Sequence, residues 1–541
     1  MREPRADADL PPFVPAPASS APCPAAAVGT LVWPALLAEP LAQIAVEMAK
    51  QGEVPSDAAR IEMHLGALVG RLMPTGGWMA GERRSGAEPI GTGRARPYDE
   101  STLRKHARAL AQNGGTDIVA RAVEAQVEQA VAASGEKAVA YTDIFDQVYW
   151  TKKPAHAGPV ANRGNRLLAA TYFGLSFVRP DQGPVLAYHV SWHKPATPLQ
   201  DALEALHAEP RRATWLAATI RRHTWDRGGS GRPTLRWALA RHIPYLTVTK
   251  GSTHWTRYRR APRVYARRRL PVFVRRDAAV LHGMRRRTGT ERGATPEEVI
   301  FPAHPDKGRA STKALRYRTG APLSEDDLRD LDYVYKTRWP CNENPIKALV
   351  AVGFDRNLDR ELTPTTSRGT DGRQARLEQR EQALRDEVAV CQPTTSAQLT
   401  KALARFGKKK RACDDERAAI NAIPQDKGAR TPTGAEPLVK NLMLLMYNAI
   451  ALLLVRSPLK QVQAMTLHRV YELLLGRTML ACLEAQRTTL WIDPVPTTSE
   501  RPLQQELVRL FNTQPLSLRG LPVHLRLRDP PGERRPLRVS S

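Results

Sequence analysis

Apolar positions recur at helical spacing toward both ends of the chain and crowd into short, strand-like runs in the middle. Leu36, Leu37, Ile44 and Met48, then Ile61, Leu65, Leu68 and Leu72, predict helices between Leu31 and Met73, and residues 118–133 continue that pattern. The character changes at Ala138–Trp150, a β-rich run that carries Asp143 and Asp146. Leu167–Val178 and Val185–Ser191 predict two more strands, and Pro198–Ala208 a helix. The short apolar run Trp215–Ile220 reads as a buried strand with Asp226 at its end. Arg227-Gly228-Gly229 then supplies a tight turn, Leu235, Ala238 and Leu239 one face of a short helix, and Ile243–Val248 the next strand. Taken alone, this stretch reads first as an Asp-Gly turn in an ordinary α/β unit, and the rest of the chain shifts that reading. Beyond Lys250 the pattern is irregular, with short β segments such as Leu270–Val274. Helical periodicity returns at Ser324–Val334 and runs through Trp339. Charged helices follow at 374–390 and 397–423, split by Pro393, and then an apolar helical region at Leu438–Cys482. Thr488–Asp493, Leu503–Phe511 and Val523–Leu527 close the chain as a small α+β unit.

Charge narrows the classes of partner. Lys and Arg number 81 against 54 Asp and Glu, a net +27 over 541 residues. Between Arg211 and Ile300 there are 22 basic residues and 5 acids, so +17 of that excess lies in ninety residues. Trp255, Tyr258, Tyr265 and Phe273 are interleaved there with Arg257, Arg259, Arg260, Arg263 and Arg267, Arg268 and Arg269. That mixture suits phosphate contacts and stacking on bases, so a polyanion such as nucleic acid is the expected partner. The five cysteines are scattered without a CxxC pair, which argues against a disulfide framework or a cysteine zinc site and suits a reducing cytosol. No HExxH occurs, and no charged segment leads into an apolar one as in a secretory signal. Leu442–Val455 contains Asn448 and is short for a membrane span, so it reads as a buried helix.

These features divide the chain. Residues 1–30 form a Pro/Ala-rich tail expected to be disordered, and 31–134 a helical region. Within the latter, Asp99 is placed to cap a short cationic helix with Arg104, Lys105 and Arg108 opposite Leu103, Ala107 and Leu110. Such a helix could read DNA in a helix-turn-helix, with Arg104 and Lys105 as DNA contacts, or simply be a basic surface helix. Residues 135–250 and 321–360 form two parts of one α/β core, separated by a basic, β-rich insertion at 251–320. A charged helical segment (361–430), a helical and α+β region (431–530) and a tail (531–541) complete the order.

Within the α/β core, three strands, a helix and a fourth strand ending in Asp226 imply a mixed sheet with the first and fourth strands side by side. Asp143 and Asp226 would then meet, and a later helix could bring Glu343. Three carboxylates suit Mg²⁺ or Mn²⁺, and two such ions can activate a hydroxyl and stabilise the leaving oxygen of a phosphodiester.

The order of these acids, the Asp226-Arg227-Gly228-Gly229 turn, and Arg338-Trp339 followed by Glu343-Asn344 and Lys347 resemble a DDE transposase of bacterial insertion sequences. The resemblance extends over about Tyr141–Asp359. It implies an α/β, ribonuclease-H-like mixed sheet with helices, and helical regions at both ends of the chain. It further implies Asp143, Asp226 and Glu343 as catalytic and metal ligands, with Arg338 and Lys347 contacting DNA. Tyr149, six positions on, favours Asp143 over its rival Asp146. Two features depart from the family pattern. Four residues lie between Arg338 and Glu343 where three are usual, which puts Asn342 in the expected place of the acid, and Pro345-Ile346 replaces an aromatic pair. The 117 residues from Asp226 to Glu343 match members with a β-rich insertion. The implied activity is metal-dependent cleavage at transposon ends and strand transfer, with two Mg²⁺ or Mn²⁺ ions. The implied partners are double-stranded DNA and, on DNA, a second copy of the chain, in the bacterial cytoplasm at the nucleoid. A transposase-derived DNA-binding protein without catalysis, or a nuclease of the same fold, are the alternatives.

Overall fold

The computed structural model describes residues 21–528 except 24–26, 52–56, 73–89, 91, 93, 95, 150–158, 164–165, 182, 194–197, 227–233, 235–236, 239, 249–258, 266–267, 275–296, 302–312, 318–333, 335–336, 355–359, 365–367, 394, 422–427, 433–434 and 485. They fall into two compact units, one of Met1–Asp146, Tyr172–Leu358 and Gly434–Ser541, the other of Gln147–Thr171 and Asp359–Thr433.

The larger unit opens with a short strand, β1 (Ala21–Cys23), and three helices, α1 (Ala27–Leu36), α2 (Ala38–Gln51) and α3 (Ala58–Arg71). Ordered structure therefore starts inside the segment expected to be a disordered tail, because Val28, Leu31, Val32 and Trp33 are fully buried. The basic helix α4 (Glu100–Leu110) is capped by Asp99, which accepts from the Thr102 amide at 2.7 Å, and buries Leu103, Ala107 and Leu110. A kink at Asn113 and Gly114 (φ 76°) leads into α5 (Thr116–Ser134). Glycine fits that positive φ without strain.

The central sheet follows: β2 (Ala138–Tyr149), β3 (Pro159–Arg163), β4 (Arg166–Pro180), β5 (Leu186–His193), helices α6 (Pro198–Leu206) and α7 (Pro210–Thr219), then β6 (Ile220–Trp225) and β7 (Tyr245–Val248). The order across the sheet is β5–β4–β2–β6–β7. β4 and β5 are antiparallel, whereas β6 is parallel to both β2 and β7, so the fold is mixed α/β. Gly174 on β4 lets α6 approach closely, since a Cβ there would lie 2.2 Å from that of Ala202. The strands of the insertion, β8 (Arg259–Tyr265), β9 (Arg268–Val274), β10 (Glu297–Phe301) and β11 (Lys313–Tyr317), lengthen the same sheet, β11 pairing antiparallel with β7.

The strand leading to Asp226 differs from the sequence expectation. Trp215–Thr219 belongs to helix α7, and the strand is Ile220–Trp225. Pro210 starts the helix, with the Glu209 carboxylate accepting from the amides of Arg211 and Arg212 at 2.9 and 2.7 Å. β6 has no apolar alternation because Arg222, His223 and Thr224 are themselves buried. A buried charge network fixes the helix before it. Glu124 of α5, 2% exposed, receives Arg212 at 2.5 Å and Arg211 at 2.9 Å, and His189 of β5 lies 3.6 Å away.

After the last core helix, α8 (Asn344–Ala351), the smaller unit holds β12 (Arg360–Pro364), α9 (Arg368–Val390), α10 (Ser396–Asn421) and β13 (Gly428–Pro432), together with β3 and the start of β4. α9 and α10 share a thin core of Leu377, Cys413 and Ile420, flanked by ion pairs such as Glu387 with Lys409 at 2.5 Å and Arg405 at 2.9 Å.

The larger unit resumes with α11 (Ala435–Leu454), α12 (Lys460–Gln463), α13 (Leu467–Val470), β14 (Met479–Leu483), β15 (Thr488–Ile492), α14 (Arg501–Asn512), β16 (Ser517–Leu518) and β17 (Leu521–Leu527). The run Leu438–Cys482, expected to be helical throughout, thus ends in a strand, because β14 pairs with both β15 and β1. Among the described residues α11 is the one helix long and apolar enough to cross a membrane, and 72% of its most apolar window is buried. It lies against the sheet, where Asn448 accepts from the Ala187 amide at 2.7 Å and donates to its carbonyl at 2.8 Å.

Lys440 of α11 is fully buried. It lies 3.3 Å from Glu436, donates to the Phe354 carbonyl just beyond α8, and sits over the rings of Phe354 and Phe173 at 4.8 and 5.4 Å. Lys440→Met removes the ammonium beside a carboxylate that is 1% exposed. Urea unfolding should register a loss of about 3–5 kcal/mol, and adding Glu436→Gln should return part of it. A neutral single substitution would mean that α8 is held by its apolar contacts alone.

Candidate active site

The site begins with the pairing of β2 and β6. Their parallel register sets Thr142 opposite Trp225, so Asp143, the next residue within β2, and Asp226, just past the end of β6, come side by side. Thr142 is anchored from the other side by a 2.9 Å hydroxyl contact with Ser176 of β4. Thr247 of β7 donates to the Asp226 carbonyl at 3.2 Å. The Asp226 backbone is thereby tied to β7, and Asp143 follows a residue whose side chain is tied to β4.

Glu343 arrives from a helix that begins ahead of α8. Trp339–Glu343 forms one turn of π-helix, in which the Asn344 amide donates to the Trp339 carbonyl five residues back. Pro345 has no amide to continue an α-helical ladder, and its ring would crowd the carbonyl of Cys341. The wider turn absorbs one extra residue, a common use of π-bulges at functional sites. It brings residues five apart into line, so Arg338 and Glu343 meet at 2.8 Å across the unusual four-residue gap between them. Tyr141 of β2, 1% exposed, holds this segment to the sheet through Thr337 at 3.1 Å, and Arg179 of β4 donates to the Cys341 sulfur at 3.5 Å.

The three carboxylates converge on Arg338. Its Nη1 lies 3.6 Å from Asp143 Oδ2, and its Nη2 lies 3.7 Å from Asp226 Oδ1 and 2.8 Å from Glu343 Oε1. The guanidinium side chain is 11% exposed, Asp143 20%, Glu343 21% and Asp226 49%, so the cluster is open on the Asp226 side. Burial pushes the Asp143 carboxyl up to about 6. The Ile144 amide and Arg338 oppose that rise, while Asp226 and Glu343 add to it. Among the described residues no three or more His, Cys, Asp or Glu side chains group as a metal site by themselves; what these three acids share is the guanidinium. Their donor atoms are all carboxylate oxygens, which suit a hard divalent cation.

The remaining candidates are placed as follows. Lys347 is exposed on α8, its ammonium 4.6 Å over the ring of Trp339, itself 51% exposed. Arg104 is engaged by Glu100 of its own helix at 2.6 Å, and Lys105 is exposed. Arg268 and Arg269 begin β9. Arg227 to Gly229, Arg267 and the side chains of Asp146, Asn342, Tyr149, Arg268 and Arg269 lie outside the described residues. Tyr141, Thr337, Arg179 and Cys341 position the site, and nothing in their spacing marks them in the sequence. No protein-family model and no curated protein matches the chain.

The Asp143 environment sets a pH dependence. Its raised folded-state value means that the protonated form favours the fold; that contribution is complete below about pH 4 and is lost as pH rises through about 6. Asp143→Asn should therefore stabilise the metal-free protein at pH 7.5 relative to wild type, by up to about 3 kcal/mol, with the advantage gone near pH 4. Denaturation curves at the two pH values measure it. An equal effect at both would place the Asp143 carboxyl in an ordinary solvated setting.

Proposed function

We propose that the chain is a DDE-type transposase with a ribonuclease-H-like core, cutting DNA at transposon ends and joining the 3′ ends to target DNA. The observation that carries this reading is the meeting of two Asp and one Glu from distant parts of the chain beside parallel strands β2 and β6. Side-by-side first and fourth strands are what that fold requires, and the strands inserted between β7 and Glu343 account for the long interval between the second and third acids.

Asp143, Asp226 and Glu343 would hold one or two Mg²⁺ or Mn²⁺ ions, which would supply Lewis-acid stabilisation at phosphorus and an activated hydroxyl. The chain's own part is to fix the three oxygens from a sheet edge and one helix and to keep two of them largely out of water. Lys347 and exposed Trp339, on the helix that carries Glu343, would be DNA contacts of this reading. The strongly basic insertion would supply backbone contacts, among them the run Arg267, Arg268 and Arg269.

A second reading, a DNA-binding protein without catalysis, draws on the cation already lying among the acids. Asp226→Asn separates the two. The substitution keeps shape and, at a half-exposed position, should leave folding intact. It removes one negative ligand, so DNA binding should persist or tighten, while cleavage should fall by at least about 10²-fold. Gel assays of nicks and joined products on end-containing DNA with Mg²⁺ or Mn²⁺ give the comparison. Wild type that binds but never cuts in either metal supports the second reading, and a mutant that cuts like wild type removes Asp226 from the site.

A further inference from the structure

Arg338 stands where a cation belongs, and the way it is held is informative. Only one of its three acidic contacts is a hydrogen bond, the 2.8 Å contact with Glu343. Those to Asp143 and Asp226, at 3.6 and 3.7 Å, are charge contacts without that geometry. Nη1 is buried and makes no hydrogen bond to the described residues. A guanidinium anchored for structure would use its fork on one carboxylate with two parallel bonds. Here it is shared by three, and one positive charge faces three carboxyl groups, leaving room for further positive charge. The exposed side of the cluster, at Asp226, offers the way in.

Resting on the transposase reading above, we infer that Arg338 is the resident counter-cation of the three acids, and that it gives up this place when a divalent cation binds. Crowded carboxylates in a poorly solvated site repel one another strongly, so without metal they need a cation to stay converged. Arg338 meets that need from within the chain, on the same turn as Glu343. A divalent ion satisfies the same oxygens with twice the charge and displaces the guanidinium. The freed guanidinium, on the side where DNA would enter, then finds a phosphate, for which its planar fork is well matched. Metal and DNA binding are therefore coupled through one side chain, and each strengthens the other. Arg338 is thus a positioning residue for the acids before the reaction and a phosphate ligand once the site is loaded.

The test is calorimetric titration of Mn²⁺ into the full-length protein, with and without a DNA duplex, for wild type, Arg338→Gln, Arg338→Lys and Asp226→Asn. Arg338→Gln should bind Mn²⁺ at least about tenfold more tightly than wild type without DNA, because the competing charge is gone. Its metal-free melting temperature should fall and be restored by Mn²⁺. The duplex should tighten Mn²⁺ binding to wild type but not to Arg338→Gln, and Arg338→Lys, which keeps the charge, should stay close to wild type. Should Arg338→Gln fail to fold, Arg338→Lys and the effect of DNA on wild type still decide: no DNA-dependent tightening of Mn²⁺ in wild type overturns the inference. Wild-type Mn²⁺ binding that depends on Asp226 but is equal or weaker in Arg338→Gln overturns the inference while leaving the metal-site reading in place. Mn²⁺ binding that Asp226→Asn does not alter overturns both.

Discussion

Three carboxylates drawn to one point must be held there against their own repulsion, and the larger unit is arranged around that requirement. Two of them stand where β2 and β6 run parallel, one following Thr142, whose hydroxyl meets Ser176 of β4, the other accepting from Thr247 of β7 through its carbonyl. The third stands on a helix that is fastened separately, by Thr337 and Cys341 at its start and by Lys440 just past its end. The Arg338 guanidinium joins the parts. The energetic strain of the cluster is thus opposed locally by one cation and globally by the rigidity of the elements that carry it.

That rigidity depends on polar groups in the interior to an unusual degree. Glu124 with Arg212, Asn448 on the β5 backbone and Lys440 with Glu436 each fix one element in relation to another. Apolar contacts alone would allow a helix to rotate or slide at small cost, whereas a buried charge without its partner costs several kcal/mol. The network at Glu124 holds α7 directly ahead of the Asp226 strand, and Lys440 holds the turn directly after the Glu343 helix.

How much of this was legible in the sequence can be read from particular residues. The β-rich run around Asp143, the strands either side of 180, the terminal strand-helix-strand and the helical character of 31–134 follow from periodicity, and the structure has elements at those places. The strand ahead of Asp226 lies several residues later than its apolar pattern predicts because its interior is Arg-His-Thr, and polar residues buried in a central strand leave no alternation. Apolar Trp215–Ile220 mimics a strand, although Glu209 and Pro210 start a helix there. The end of the apolar run near Cys482 was hidden for a related reason: pairing with a strand at residues 21–23 lies beyond any local window. The extra residue between Arg338 and Glu343 read as a departure in spacing, and only the π-turn accounts for it in three dimensions. Positions gathered by tertiary contact, such as Tyr141, Arg179 and Lys440, carry no local signal at all.

We propose that Asp143, Asp226 and Glu343 make one site for a divalent cation, with Arg338 as its stand-in. Crystals grown with Mn²⁺ and measured at the manganese absorption edge address it without reference to activity. An anomalous peak is expected, bounded by oxygens of all three carboxylates at about 2.0–2.4 Å, with the Arg338 guanidinium moved out of their midst. Manganese bound elsewhere, with Arg338 still between the acids at saturating metal, would contradict it.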